Sequence, residues 1–243
     1  MKTILIIFLA CIALNCSKPA VPPRPKQIDE RLYFPMVVGN KWEYIYIQDF
    51  GLEKLNSTII GRWTQTVKIT QESDEQFLFE EINYIGNLGA IGTQHIYELK
   101  NDMLMQAASG GGIQNLPMKP FDRKPILLKF PLRIDSSWEY EDDTDNIHHL
   151  KLDRCYDTIS VLSKHFQNVI EVSDSVQDSK IEYKYYAYNV GLIKIEVKFI
   201  DPQTIRNVEQ FRSHYPTSTQ EFSRSVTFQL KSYDLKEQPN RVN

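Results

Sequence analysis

Four places in the chain carry residues whose types and spacing could do chemistry. The densest donor group is Asp142, Asp143, Asp145, His148 and His149. A calcium loop needs oxygen ligands at regular alternation, a Gly at the turn and a bidentate acid downstream. Counted from Asp143, the fifth position is Ile147, and neither the Gly nor the acid follows. The cluster therefore reads as a surface hairpin turn, and no metal is expected. Cys155 stands in Cys155-Tyr156-Asp157-Thr158-Ile159-Ser160-Val161, which reads as a strand, where a lone thiol behaves as a small buried hydrophobe. A nucleophilic cysteine needs a His and an orienting acid beside it, and His148, His149 and His165 offer no spacing that supplies them. Ser109-Gly110-Gly111-Gly112 has backbone N–H groups that could cradle an anion, but no Lys-Ser/Thr pair follows, so it reads as a flexible loop. Trp42 and Tyr44 share one strand parity, as do Trp138 and Tyr140. The four could face one interior space and meet an apolar ligand if the sheet curves, although plain core packing is the simpler reading. No catalytic set assembles, so the chain is expected to be non-enzymatic and to need no cofactor.

The remaining reactive position is Cys16. Lys2 is followed by the uncharged run Ile4 to Leu14, and then by Asn15-Cys16-Ser17-Lys18. One basic residue before a short apolar run is an export pattern. At about a dozen residues the run falls short of the roughly 20 that span a bilayer, which argues against a permanent transmembrane helix. Ala13-Leu14-Asn15-Cys16 resembles a lipobox, in the relaxed form of spirochaete-type lipoproteins. The reading is a signal peptide over 1–15 and acylation of Cys16. Each buried methylene holds by about 0.8 kcal/mol, and one chain alone binds only marginally. Two or three acyl chains on one cysteine anchor permanently, and the domain then needs no membrane-binding surface of its own. With Cys11 removed and Cys16 acylated, Cys155 is the one thiol left, so no intramolecular disulfide forms.

The elements that must position these residues are strands. A net charge of −3, from 28 basic and 31 acidic residues, gives no field to steer nucleic acid. Thirteen Tyr, twelve Phe and three Trp against ten Gly suit an aromatic-rich β protein. Residues 16–31, with four prolines, form an extended tether behind the lipidated cysteine. Beyond it Val67 and Ile69, Ile193, Ile195, Val197 and Phe199, and Val226, Phe228 and Leu230 alternate with polar neighbours, the period of half-wet strands. A short helix over Thr204 to Ser213 is the main candidate exception. Hairpin signals recur at Glu72-Ser73-Asp74, Gly86 to Gly89 and Asp142 to Asn146, and the lack of crossover helices makes the sheet antiparallel. Residues 107–125, with their Gly run and prolines, read as a mobile loop. The expectation is one all-β domain over 32–236, ahead of a flexible tail at 237–243.

An internal repeat divides that domain. Tyr33-Phe34-Pro35-Met36-Val37-Val38-Gly39-Asn40-Lys41-Trp42-Glu43-Tyr44 aligns without gaps onto Lys129-Phe130-Pro131-Leu132-Arg133-Ile134-Asp135-Ser136-Ser137-Trp138-Glu139-Tyr140. Phe-Pro sets an extended approach, Gly39-Asn40 or Asp135-Ser136 a turn, and the Trp opens a strand. Two related β-meanders follow, forming a strongly curved sheet, an open barrel or a sandwich.

The opening Tyr33 to Tyr44 resembles the Tyr-Phe-Pro-Leu-x-Val-Gly-Asn-x-Trp-x-Tyr start of a group of mostly uncharacterised bacterial secreted proteins and lipoproteins. Phe166-Gln167-Asn168-Val169 and Tyr185-Tyr186-Ala187-Tyr188-Asn189-Val190-Gly191-Leu192-Ile193-Lys194 are similar to that group's middle and late motifs, and Leu230 to Tyr233 to its close. Lys164-His165 replaces the Gly usual before the middle motif. The resemblance implies an envelope location, at the outer membrane or cell surface, and a β-rich fold; it brings no catalytic residues. The expected role is a lipid-anchored binding or interaction module with a protein partner; the alternative is a carrier or sensor of an apolar small molecule. Metabolic labelling with a palmitate analogue should mark the protein, and Cys16→Ser should abolish the label and release the chain from membranes.

Overall fold

A computed structural model of the chain describes residues 29–49, 63–73, 75–84, 89–111, 116–176, 180–199 and 225–237. The export signal, Cys16, nearly all of the tether, the Thr204 to Ser213 segment and the tail from 238 on lie outside them. The described residues form a 3-10 turn, Glu30–Tyr33, and thirteen strands. The first seven are β1 (Lys41–Asp49), β2 (Trp63–Ser73), β3 (Gln76–Tyr84), β4 (Ala90–Lys100), β5 (Met103–Gly111), β6 (Leu116–Pro120) and β7 (Ile126–Lys129). They are followed by β8 (Ser137–Glu141), β9 (Ile147–Val161), β10 (Lys164–Val176), β11 (Lys180–Ala187), β12 (Gly191–Phe199) and β13 (Ser225–Asp234). No helix among the described residues is long and apolar enough to cross a membrane.

All thirteen strands belong to one antiparallel, strongly curved sheet in the order β6-β5-β4-β3-β2-β1-β13-β12-β11-β10-β9-β8, with β7 paired to β5. Apart from β7, each strand pairs with a sequence neighbour, and β1 pairs with β13, so two meanders join at one seam. The alternation seen in the sequence sets which face is buried. Val67 and Ile69 are buried on β2, Ile193 and Val197 on β12, and Leu230 on β13.

The repeat runs far beyond the twelve residues that reveal it. At the start of β1, the Gly39 N–H donates to the Ile69 carbonyl at 2.9 Å, and the Ile69 N–H to the Asn40 carbonyl at 3.0 Å. At the start of β8, the Asp135 N–H donates to Leu152 at 2.9 Å and the Leu152 N–H to Ser136 at 3.0 Å. Gly39 and Asp135 share positive φ, 93° and 64°. Trp42 then pairs with Val67 as Trp138 pairs with Leu150. A bulge follows at Thr70 in β2 and at Asp153 in β9, and a second at Ala107 in β5 and at Ile193 in β12. Bulges reset the parity of everything beyond them, so matched bulges keep the same strand positions facing inward in both halves.

The curved sheet closes over two apolar clusters. One gathers Trp42, Val67, Ile69, Phe77 and Phe79 with Tyr185, Ile193 and Leu230. The other gathers Leu104 and Leu128 with Trp138, Leu150, Leu152, Ile170, Val172 and Tyr186. Phe34, Met36 and Tyr97 pack against both. Each fully buried aliphatic side chain contributes roughly 1.5–3 kcal/mol.

Residues 107–125 are not the loop that their glycines and prolines suggest. They supply most of β5 and all of β6, apart from 112–115, which are not described. A Cβ on Gly110 would lie 2.7 Å from the Met118 backbone, and one on Gly111 2.5 Å from the Gly92 carbonyl oxygen. The glycines are there because neighbouring backbones approach closely.

The ends of the sheet, β6 and β8, do not pair. Side chains bridge the gap instead. The Arg123 N–H donates to Asp143 Oδ1 at 2.9 Å, and its guanidinium meets Glu141 at 2.5 Å and Asp145 at 2.8 Å. The Trp138 indole N–H donates to the Ile126 carbonyl at 3.3 Å. Arg123→Ala should therefore speed hydrogen exchange in β8 and the 142–146 turn while leaving the β1–β13 ladder protected. Equal exchange throughout would show that Arg123 does not hold this seam.

Candidate functional site

Between β1–β5 and β11–β13 the sheet does not pack solid. A cavity of about 300 Å³ remains, at the lower end of ligand pockets. One wall is aromatic. Trp42 stacks on Phe79 at 6.2 Å between centroids, Tyr97 meets Phe79 edge-on at 4.6 Å, and Phe34 tilts against both Phe79 and Tyr97. Two aromatic side chains on the cavity are locked by their polar tips. The Trp42 indole N–H donates to the Val190 carbonyl at 2.7 Å, and the Tyr44 hydroxyl to the Leu192 carbonyl at 2.9 Å. Gly191, at φ +96°, lies between those carbonyls, and a Cβ there would crowd Pro35 at 3.3 Å.

The other wall is polar, and strand register explains its composition. Val67 faces Glu81 across β2–β3 as Leu150 faces Asp174 across β9–β10. Glu81 then pairs with Thr93 and Phe79 with His95, as Asp174 pairs with Glu182 and Val172 with Lys184. The two halves thus place the same kind of group at the same positions. Gln65 donates to Glu81 at 2.7 Å where His148 meets Asp174 at 3.0 Å. His95 lies 3.6 Å from Glu81 where Lys184 lies 3.5 Å from Asp174. Tyr97 and Tyr186 occupy equivalent places one step further along. The duplicated sets end up in different surroundings. Gln65 and Glu81 open onto the cavity from the first half, and Lys184 and Tyr186 from the second. Asp174 and His148 are shut away behind Tyr140, whose ring stacks on His148 at 4.3 Å.

Burial pushes the Tyr186 hydroxyl pKa up to about 12, against an opposing pull from Lys184. Burial likewise raises Tyr44 and Tyr97, each with a further push from Glu81. These phenols stay protonated and act as donors. Tyr186 is 2% exposed, lines the cavity and finds no hydrogen-bond partner among the described residues. An unpaired buried hydroxyl costs about 1–3 kcal/mol. Burial works against the charge on Lys184, but Glu182, Tyr186 and Asp174 outweigh it and keep the ammonium protonated. Its ammonium nitrogen lies 3.1 Å from Glu182 and 3.5 Å from Asp174. All described partners of Glu81 meet one oxygen, Oε2. The site can therefore hold a flat apolar body and offer hydrogen bonds at one end. Nothing in it combines a nucleophile with a base.

The four aromatics picked out by sequence do not share this space. Trp42 and Tyr44 line the cavity, whereas Trp138 belongs to the second apolar cluster and Tyr140 covers His148. The inner faces of the halves are offset, so equal parity does not bring equal positions together. Gln65, Glu81, Tyr97, Lys184 and Tyr186 were not singled out. Their only sequence signal is the repeat, once its register is extended through the bulges. Cys155 is exposed rather than buried. It sits on β9 where the strand faces outward, and desolvation raises its pKa, which leaves little reactive thiolate. The acidic cluster is the β8–β9 turn. Asp142 accepts from the Thr144 and Asn146 backbone N–H groups at 2.8 and 2.9 Å, while His148 turns inward and His149 pairs outward with Glu139.

Comparison of the chain with protein-family models, with curated proteins and with solved structures finds no match.

His148 makes stability depend on pH. Burial lowers its pKa, but Asp174 and Asp142 outweigh burial and raise it above 6.5. A raised folded-state value stabilises fully below about 6.5 and loses that contribution as pH climbs through the folded value. His148→Gln, which copies Gln65 at the equivalent position, should remove that dependence. Thermal midpoints taken from about pH 6 to about pH 9 should converge or cross for the two proteins; parallel curves would mean that His148 stays neutral.

Proposed function

We propose that the protein is an exported bacterial lipoprotein, anchored by acyl chains on Cys16, whose β domain binds a small molecule in its interior and performs no catalysis. The supporting observation is the cavity of about 300 Å³ lined by Tyr186, whose hydroxyl has no partner among the described residues. A core under selection for packing alone fills such a space, since voids lose contacts and an unsatisfied hydroxyl loses more. A ligand restores both. The aromatic wall gives area, and the polar end gives orientation. The anchor and the Pro-rich tether support a place outside the cytoplasm, where the domain samples its surroundings without needing a membrane-binding face.

A second reading is an interaction module that uses the sheet ends. Leu116 on β6, Ile134 ahead of β8 and Ile147 at the start of β9 are exposed apolar side chains near the unpaired strands, and free edges accept a further strand. Native mass spectrometry of gently extracted protein should show added mass that leaves on denaturation. Protein found empty after extraction from its own host, together with a partner recovered by crosslinking through β6 or β8, would favour the second reading and sink the first.

A further inference from the structure

The cavity's polar groups define the head of the molecule that fits it, a step that rests on the binding reading above. Three residues that line the space carry donors without a complete set of partners among the described residues: Tyr186, Tyr97 and Lys184, whose ammonium has three protons and two carboxylate neighbours. One acceptor is equally uncommitted, the Glu81 oxygen Oε1, because Gln65, Thr93 and His95 all address Oε2. Tyr186 carries the argument that these groups form a built site. It is buried to 2% exposure, and a phenol held that deeply without a partner is one that a ligand must satisfy.

The charges select among heads. Lys184 faces the cavity, but Glu182 at 3.1 Å and Asp174 at 3.5 Å already meet its charge, and Glu81 adds a carboxylate to the opposite wall. An anion entering here would lose its hydration and face three carboxylates with one shared cation. A cation would find Glu81 but confront the Lys184 ammonium and the two phenol donors. A neutral head that both accepts and donates satisfies every group at once. The size of the space sets the body: a 150 Å³ cavity accepts benzene, so twice that volume suits about a dozen non-hydrogen atoms. The stacked Trp42 and Phe79 rings, with Tyr97 edge-on to them, favour a flat one.

We propose that the cavity binds a small uncharged molecule with an aromatic or flat alicyclic body and a head of the amide or hydroxy-carbonyl kind, its acceptor on Tyr186, Tyr97 and Lys184 and its donor on Glu81. Fatty-acid-like anions are not its ligands.

Three probes of matched shape test this: 3-phenylpropanamide, 3-phenylpropanoate and 3-phenylpropylammonium. Each is titrated by calorimetry and protein-observed NMR into the full chain carrying Cys16→Ser, which needs no detergent that could occupy the site. The amide should bind at least tenfold tighter than either charged probe and shift resonances of Trp42, Tyr97 and Tyr186. Tyr186→Phe should bind it about tenfold more weakly while melting no lower than the parent, because the change deletes an unsatisfied hydroxyl and leaves the ring. A purely structural hydroxyl would give the reverse: lower melting and unchanged affinity. Tighter binding of the propanoate, undiminished binding by Tyr186→Phe, or no binding of any probe would overturn the assignment. Co-purified mass in the native protein together with a preference for the anion would leave the binding reading standing and reject the head group alone.

Discussion

Both meanders start from one constraint: a residue with positive φ whose N–H is taken by the carbonyl of a buried aliphatic residue on the adjacent strand. Gly39 and Asp135 hold that position, bonded to Ile69 and Leu152. The contact fixes the register of the first hairpin in each half, and in an antiparallel ladder the first register fixes the rest until a bulge intervenes. Asn40 strengthens it in the first half. Buried to 1% exposure, its side chain donates to the Pro35 carbonyl at 2.9 Å and accepts from the Lys236 N–H at 2.7 Å. The start of β1 and the chain beyond β13 are thereby pinned together, which is where the two meanders join. The second half has Ser136 there, its hydroxyl turned to the nearby Arg133 carbonyl, and β8 is left as a free end.

From that difference the cavity follows. Were the halves identical, polar sets built on Glu81 and Asp174 would face each other symmetrically. Instead Asp174 is closed in by His148, Lys184 and Tyr140, while Glu81 keeps the neutral Gln65 and one uncommitted oxygen. Gln against His at one position, and His against Lys at the next, divide the duplicated set into a closed network around Asp174 and a cavity wall around Glu81. Tyr186 belongs by position to the half that carries Asp174 but opens onto the cavity, and among the described residues its hydroxyl has no hydrogen-bond partner.

The β class, the antiparallel pairing and some of the buried positions were legible because period-two alternation is a local signal: Val67, Ile69, Ile193 and Leu230 all lie where it puts them. The repeat was legible only over Tyr33 to Tyr44, where Phe-Pro and Trp-Glu-Tyr preserve identity. Past that point the halves share geometry without sharing residues, as His95 and Lys184 illustrate. Polarity misled in two places. Glu182, Lys184 and Tyr186 alternate with Ile181, Tyr183 and Tyr185, so the charged parity reads as the wet face, yet Lys184 and Tyr186 line the interior. The glycines at 110 and 111 read as looseness, whereas they mark where backbones come too close for a Cβ. Cys155 erred the opposite way, since strand membership alone does not say which face a thiol takes.

A polar interior is costly for a sheet, and its location argues for use rather than accident. Buried ion pairs such as Lys184 with Asp174 and Glu182 seldom add net stability over an apolar packing of equal volume. The first cluster shows that this fold can build such packing around Val67, Ile69 and Phe79. The charges of this set instead lie on strands that border an open space, which the deeply buried Tyr186 also lines. Stability alone selects against that arrangement at every group; under the binding proposal, a molecule that stacked on the aromatic wall and completed the hydrogen bonds would turn the same groups from liabilities into the means of recognising it.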